Sequence, residues 1–172
     1  MSIYELIRSR VSIRDYDPAL PVEEGTLERI LDAGRLAPSA YNRQPWTFLL
    51  ISSDEMLARV RPCYQKEWFQ NAPHILIIIG HKDKSWVRTH DGYNSLETDL
   101  AIAMDHIILA ATSEDVGTCW IAAYDPQMLA EAIELQENEV IGCITPLGYP
   151  HESYNSQRPK QRKSLDDIAR II

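Results

Sequence analysis

Long apolar runs are missing from this chain. Runs such as Ile75–Ile79 and Ile107–Ala111 fall far short of the roughly 20 residues that a membrane-spanning helix needs. Neither GxGxxG nor GxxxxGK occurs, which disfavours a nucleotide fold built on a glycine-rich loop. Cysteine is scarce. Cys63, Cys119 and Cys143 are odd in number and widely spaced, with no CxxC or Cys/His zinc spacing, so reduced thiols in a cytoplasmic protein are expected rather than a disulfide framework. Arg8 and Arg10 follow only a short apolar start, and the opening is not expected to act as a secretory signal. No internal repeat, low-complexity tract or long linker interrupts the 172 residues, so one domain over 1–172 is expected. Basic residues number 17 against 25 acidic ones, a net charge of −8, which argues against nucleic acid as a partner. No obvious acid–base dyad or activated nucleophile stands out either.

What is present is ordinary in bulk and uneven in placement. Hydrophobic residues make up 45% of the chain and charged ones 24%, as in soluble globular proteins. The cations gather at the two ends: Arg8, Arg10 and Arg14 near the start, and Arg158, Lys160, Arg162 and Lys163 near the finish. An acidic chain arranged this way is suited to build one anion site from both ends. Between Arg10 and Tyr16, Val11 and Ile13 alternate with Arg10, Ser12 and Arg14. In an extended segment that alternation puts two guanidiniums and a hydroxyl on one side, a good phosphate clamp. A solvated polar face on a short strand would look the same.

The stretch Ala37–Trp46 carries Pro38 and Pro45, which each fix φ and remove an N–H, and the uncharged donors and acceptors of Ser39, Asn42 and Gln44. It reads either as an ordinary helix-to-strand connection or as a stiff loop suited to the edge of a flat, hydrogen-bonding ring. Ser2 and Glu5 form a capping box for a first helix. A second helix is expected over 23–36, and a third from a Ser53-Asp54 cap to Val60, where Pro62 stops it. The segment 63–72 is ambiguous. Trp46–Ile51 and 73–80 read as buried strands, 117–124 as a third strand ending in small residues, and 140–149 as a fourth. The segment 81–92 is a polar loop around Trp86. The longest helix is expected over 93–113, mostly buried, with Asp99, Asp105 and His106 forming a solvated stripe. A further helix is expected from Asp125-Pro126 to about Leu135, and a short last one from a Ser164/Asp167 cap.

Singly these motifs are weak, but their order is informative. The chain resembles the flavin-dependent nitroreductase family over nearly its whole length. The pattern Arg-x-Ser-x-Arg-x-aromatic is met by Arg10, Ser12, Arg14 and Tyr16. The Pro-Ser-Ser-x-Asn-x-Gln-Pro-Trp loop is met by Pro38, Ser39, Asn42, Gln44, Pro45 and Trp46, with Ala40 for the second serine. Gly-x-Cys-Trp-Ile is met by Gly117, Cys119, Trp120 and Ile121, and a closing Lys-x-Arg by Lys160 and Arg162.

The resemblance implies an α+β fold: a central, mostly antiparallel sheet of four to five strands, flanked by helices, with a long buried central helix. It implies bound FMN and a homodimer with shared sites. Arg10, Val11, Ser12 and Arg14 would hold the phosphate and ribityl end, with Lys160 and Arg162 reaching the same phosphate. The backbone at Ala122 and Ala123 would face the ring. Pro38, Ser39, Ala40, Asn42 and Gln44 would come from the partner subunit, and Gln65 is a further implied contact. Ala40 removes one hydroxyl from that set. The implied activity is ping-pong reduction of nitroaromatic, quinone or related electron-poor acceptors by NAD(P)H. Rivals are a flavin-binding storage or sensor protein without turnover, a flavin-fragmenting or dehalogenating enzyme of the same fold, and an interaction domain without cofactor. The chain lacks much of the insertion that shapes the substrate pocket in longer members.

Overall fold

The continuous aliphatic run Ile75–Ile79 is buried because it forms the middle of a sheet covered on both sides. The computed structural model describes residues 2–154 and 160–172; Arg158, one of the C-terminal cations, lies outside them. Four strands pair in the order β1 (Trp46–Ile51), β2 (His74–His81), β4 (Glu139–Gly148), β3 (Gly117–Thr118), and every pairing is antiparallel. Strand β2 runs beside β1 with Trp46 opposite Gly80 and Ile51 opposite Ile75. On its other side it runs beside β4, from His74 opposite Leu147 to His81 opposite Glu139.

Side chains alternate across β2, so its apolar run serves two cores. Leu76 and Ile78, with Cys143 and Leu147 of β4, face α2 (Glu24–Arg35) and α5 (Leu96–Ser113). Ile75, Ile77 and Ile79, with Ile144, face α3 (Asp54–Val60), α4 (Glu67–Gln70) and α6 (Pro126–Ala132). Each such side chain is worth roughly 1.5–3 kcal/mol when fully buried. Helix α5 comes very close to the sheet. A Cβ on Gly80 or Gly142 would lie 2.7 or 2.6 Å from Leu100 Cδ1, so a side chain at either position would require Leu100 to shift. Gly142 is also the extra residue of a bulge between the Ile78–Cys143 and Ile79–Ile141 pairs.

Local signals set most element ends. Helix α1 (Ile3–Ser9) has the Ser2/Glu5 capping box, Ser53 accepts from Met56 N above α3, and Asp125 accepts from Met128 N above α6. The last helix, α7 (Leu165–Ile168), has the Ser164/Asp167 box. The ambiguous 63–72 segment holds the short α4.

Four expectations need correction. The long helix starts at Leu96 rather than Tyr93, because Asn94 Oδ1 accepts from Leu96 N at 2.8 Å and stops the helix from extending backwards. Strand β1 is only partly covered, since it is the edge of the sheet. The third strand is two residues long: after Thr118 the chain leaves the ladder, touches β4 again at an isolated Ile121–Ile144 bridge, and turns Trp120 outward to 42% exposure. Finally, Asp99 is not part of a solvated stripe. It is 3% exposed, whereas Asp105 is exposed and His106 half-buried.

Some apolar surface remains uncovered. Ile3, Tyr4 and Ile7 of α1, and Leu165, Ile168, Ile171 and Ile172 at the other end, are all exposed. Among the described residues no helix is long and apolar enough to cross a membrane.

Candidate functional site

Arg10 to Tyr16 is extended, and two bridges hold it. Ser12 pairs with Thr118 and Tyr16 with Pro150, and Ile13 N donates to Thr118 O at 2.8 Å. Ile13 and Tyr16 point into the core, with the Tyr16 hydroxyl donating to Ile13 O at 2.9 Å. Ile13 is thereby fixed inward and Arg14 outward, the alternation expected from the sequence.

The cations of the two chain ends do meet. Lys160 Nζ donates to Ile7 O at 3.0 Å. Burial, together with the positive charges of Arg10 and Arg162, pulls the Lys160 pKa below its ordinary value. Cys119 lies beside the same group. Burial pushes its thiol up, while Arg14, Ser12 and Arg10 act in the opposite direction, Ser12 and Arg14 through side-chain hydrogen bonds. Arg10, Ser12, Arg14, Lys160 and Arg162 therefore belong to one neighbourhood. Among the described residues none of its four cations forms an ion pair with a carboxylate. By contrast, Arg29 reaches Glu114 at 2.8 Å and Arg88 reaches Asp91 at 2.7 Å. Like charges gathered without a counter-charge repel one another, so the cluster is poised for an anion.

From Cys119 the chain runs through Trp120 to Ala122 and Ala123, both exposed. Trp120 forms one wall of a groove of about 640 Å³, within the usual size range of small-molecule sites. Leu96, Glu97, Leu100, Ala101 and Gly142 form much of the rest. Sequence reasoning missed this groove because it took Trp120 for a buried strand residue. Gln65 is exposed, with its amide nitrogen donating to Pro62 O at 3.0 Å, and among the described residues no hydrogen bond or ion pair ties it to the cation cluster.

The loop from Pro38 to Gln44 is built differently. A 3-10 turn, Ala40–Asn42, occupies its centre, and Tyr41, Asn42 and Gln44 all have positive φ, at 52, 55 and 49°. Non-glycine residues in this region cost about 1–3 kcal/mol each and persist only where the surroundings hold them. Several contacts do so. Gln44 N donates to Ser39 Oγ at 2.9 Å, and Gln44 Nε2 to Asn42 O at 3.2 Å. Ala40 N donates to Asp99 Oδ1 at 3.0 Å. The Tyr41 ring stacks on Trp86 of the 81–92 segment, with centroids 5.7 Å apart, while Tyr41 to Gln44 stay exposed. The Asn42 side-chain amide is exposed and has no protein partner among the described residues.

One chain does not join these two sets of residues. The loop is anchored at Asp99 in the first turn of α5, while Val11 and Thr112, near the last turn of that helix, line a common cleft. Thirteen residues of helix separate the anchors, about 20 Å at 1.5 Å per residue. No hydrogen bond or ion pair among the described residues links the loop to Arg10, Arg14, Lys160 or Arg162.

Known proteins share this fold. The Nitroreductase family model matches residues 7–66 and 56–149. A solved nitroreductase family protein from Clostridium difficile superposes with a TM-score of 0.90 at 31% identity, over 99% of this chain and 98% of that one. An FMN-dependent nitroreductase from Clostridium difficile gives 0.73 at 25% identity, over 96% and 94%. A protein of Archaeoglobus fulgidus, provisionally named an NADH dehydrogenase/NAD(P)H nitroreductase, is 29% identical over 96% of this chain and 95% of its own length. The family model covers most of the chain, and the chain belongs to the nitroreductase family.

Proposed function

We propose that the chain is an FMN-dependent oxidoreductase that draws reducing equivalents from NAD(P)H and passes them to nitroaromatic, quinone or related electron-poor acceptors by a ping-pong route. The observation that carries this reading is the set of four cations, Arg10, Arg14, Lys160 and Arg162, drawn from both chain ends and left without carboxylate partners. It suits a terminal phosphate dianion, where charge-assisted hydrogen bonds are strong. The residues fit the rest of such a cofactor too. Ser12 adds a hydroxyl beside the cations, Val11 lies in the same segment, and the exposed Ala122 and Ala123 leave backbone open to a flat ring. FMN, when bound, supplies the hydride chemistry, which accounts for the absence of an acid–base dyad in the sequence.

The chain's own residues bind, orient and exclude water. Arg10 and Arg14 hold the anionic end. Trp120 and the groove beside it offer an apolar wall for nicotinamide and acceptor, which take the same place in turn. Pro38, Ser39, Ala40, Asn42 and Gln44 complete the site from a second copy, because in their own chain the loop is tied to the first turn of α5 while the Arg10–Arg14 segment lies near its last turn. The active unit is thus a homodimer with two equivalent sites, and the exposed apolar residues of α1 and the C-terminal segment provide surface for it.

The test is the visible spectrum of the purified protein, with mass analysis of any released cofactor, then steady-state NAD(P)H oxidation with a quinone or a nitroaromatic. A yellow protein that releases FMN and turns over is expected. A colourless protein that cannot take up FMN refutes the reading, and a loaded protein without turnover leaves a binding protein.

A further inference from the structure

Asp99 is the buried acid that the proposed reaction does not use. It lies in the first turn of α5 at 3% exposure, and each of its oxygens accepts one hydrogen bond. The Ser95 hydroxyl donates to Oδ2 at 2.8 Å, and Ala40 N donates to Oδ1 at 3.0 Å from 59 residues away in sequence. Among the described residues this second bond is the one hydrogen bond that ties Pro38–Gln44 to anything beyond the neighbouring residues 34–46. Ala40 opens the turn whose next two residues are left-handed. A carboxyl taken out of water needs such donors, and the turn needs an external restraint to hold three left-handed residues. Each therefore satisfies the other.

We infer that Asp99 is a positioning residue of the proposed flavin site: through the Ala40 N–H it sets the left-handed turn and so aims the free Asn42 amide and the loop backbone at a cofactor held by the second copy. This rests on the proposed function. The bond is made by the buried Asp99 carboxyl, and Asn42 stays exposed. The Tyr41–Trp86 stack holds the loop from above but bonds to no backbone group. The turn's direction thus depends on the carboxyl.

The experiment compares wild type, Asp99→Ala and Asp99→Asn as full-length protein. Asparagine keeps a carbonyl acceptor for Ala40 N–H, and its amide can donate to Ser95 Oγ, so it should rescue what alanine loses. Three quantities are read: amide hydrogen exchange of residues 40–44 in flavin-free protein, the FMN dissociation constant with the band shape of the bound flavin, and the melting temperature as a control on the fold. For Asp99→Ala, faster exchange confined to 40–44 is expected, with FMN affinity lowered about fivefold, the equivalent of one ordinary hydrogen bond, and an altered band shape. For Asp99→Asn all three should lie close to wild type. A folded Asp99→Ala with wild-type exchange, affinity and spectrum overturns the inference, as does a melting-temperature loss with no change at the loop or the flavin. If Asp99→Ala does not fold, wild-type exchange decides: the Ala40 amide must be protected like the first turn of α5, and fast exchange there refutes the anchor. A wild type that takes up no FMN refutes the flavin reading, while the flavin-free exchange still shows whether Asp99 holds the loop.

Discussion

The loop at Pro38–Gln44 and the cation cluster at Arg10, Arg14, Lys160 and Arg162 solve opposite problems. The loop is strained but largely satisfied: three positive φ angles are held by Ser39, Asp99 and Trp86. The cluster is relaxed in backbone, an extended segment with two bridges, but unsatisfied in charge. A region built to present a surface puts its restraints inside itself. On the proposed function, the cluster leaves the balancing charge to the ligand. The difference predicts different responses to mutation, since the cluster should lose ligand without losing fold, and the loop should lose order first.

The largest effect is expected from removing the cations. Each charge-assisted hydrogen bond is worth roughly 1.5–3 kcal/mol. Arg10→Ala should therefore weaken FMN binding by about tenfold to a hundredfold, and adding Arg14→Ala should weaken it further. Riboflavin, which lacks the phosphate, should bind nearly as before, and thermal stability should hold or rise as repulsion is relieved. Titration of both ligands decides the matter, because equal losses for both would mean that Arg10 does not read a phosphate.

The two regions can also be broken in separate subunits. An Arg10/Arg14 double variant mixed with an Asn42→Ala variant should, after subunit exchange, form a heterodimer with one doubly damaged and one intact site. Part of the flavin binding and activity should return. Confirmed exchange with no recovery, or a flavin-loaded monomer by light scattering, would sink the shared-site model.

A smaller effect is expected at the loop. Trp86→Ala removes a stacked pair worth about 0.5–1.5 kcal/mol beyond the buried area. Hydrogen exchange at Asn42, Arg43 and Gln44 should speed up several-fold while β2 stays unchanged. Acceleration spread over the sheet would make the stack part of the scaffold instead.

His74 offers a control outside both regions. Its Nε2 accepts from Val22 N at 3.1 Å, and its Nδ1 faces Ser52 Oγ at 2.8 Å, so the ring must be neutral, with its proton on Nδ1. Burial lowers its pKa below the ordinary 6.5. A depressed histidine pKa means that the unfolded chain takes up the proton first. The stability contributed by neutral His74 is therefore complete above about pH 6.5 and lost as pH falls from there through the lower folded value. Melting temperature against pH should show this fall, and His74→Gln should flatten it. A fall that survives His74→Gln belongs to other groups.

The smallest effect is predicted at Cys119. It is buried, its backbone N donates to Thr145 Oγ1 at 3.0 Å, and burial pushes its thiol up. Such thiols are inert, so Cys119→Ser should leave NAD(P)H oxidation by the loaded protein largely intact. A folded, flavin-loaded serine variant without activity would give Cys119 a role in the chemistry.

Local signals carried much of the fold. Capping boxes at Ser2 and Ser164, the caps at Ser53 and Asp125, and the aliphatic run of β2 are decided within a few residues, and the structure has them where the sequence indicates. The alternation of Arg10 to Arg14 was equally legible, because an extended chain has a period of two wherever it lies. Asp99 was not legible. Its spacing from His106 on a helix matches a solvated stripe, and nothing nearby in sequence reveals that a backbone N–H from residue 40 will lie over it. Trp120 failed for a related reason: a short apolar run does not say how many of its residues find a partner strand, and here the ladder ends at Thr118.

The sequence by itself determined the capped helix starts at Ser2, Ser53, Asp125 and Ser164, the doubly buried strand and the family. Those follow from interactions along a few bonds of chain, or from motifs whose order survives in one dimension. Tertiary structure alone decided that the two cationic ends meet around Cys119, that a groove opens beside Trp120, and that Asp99 holds a strained loop at the first turn of α5. Each of these depends on groups tens to hundreds of residues apart, whose distances are set by the length of α5 and the order of the sheet.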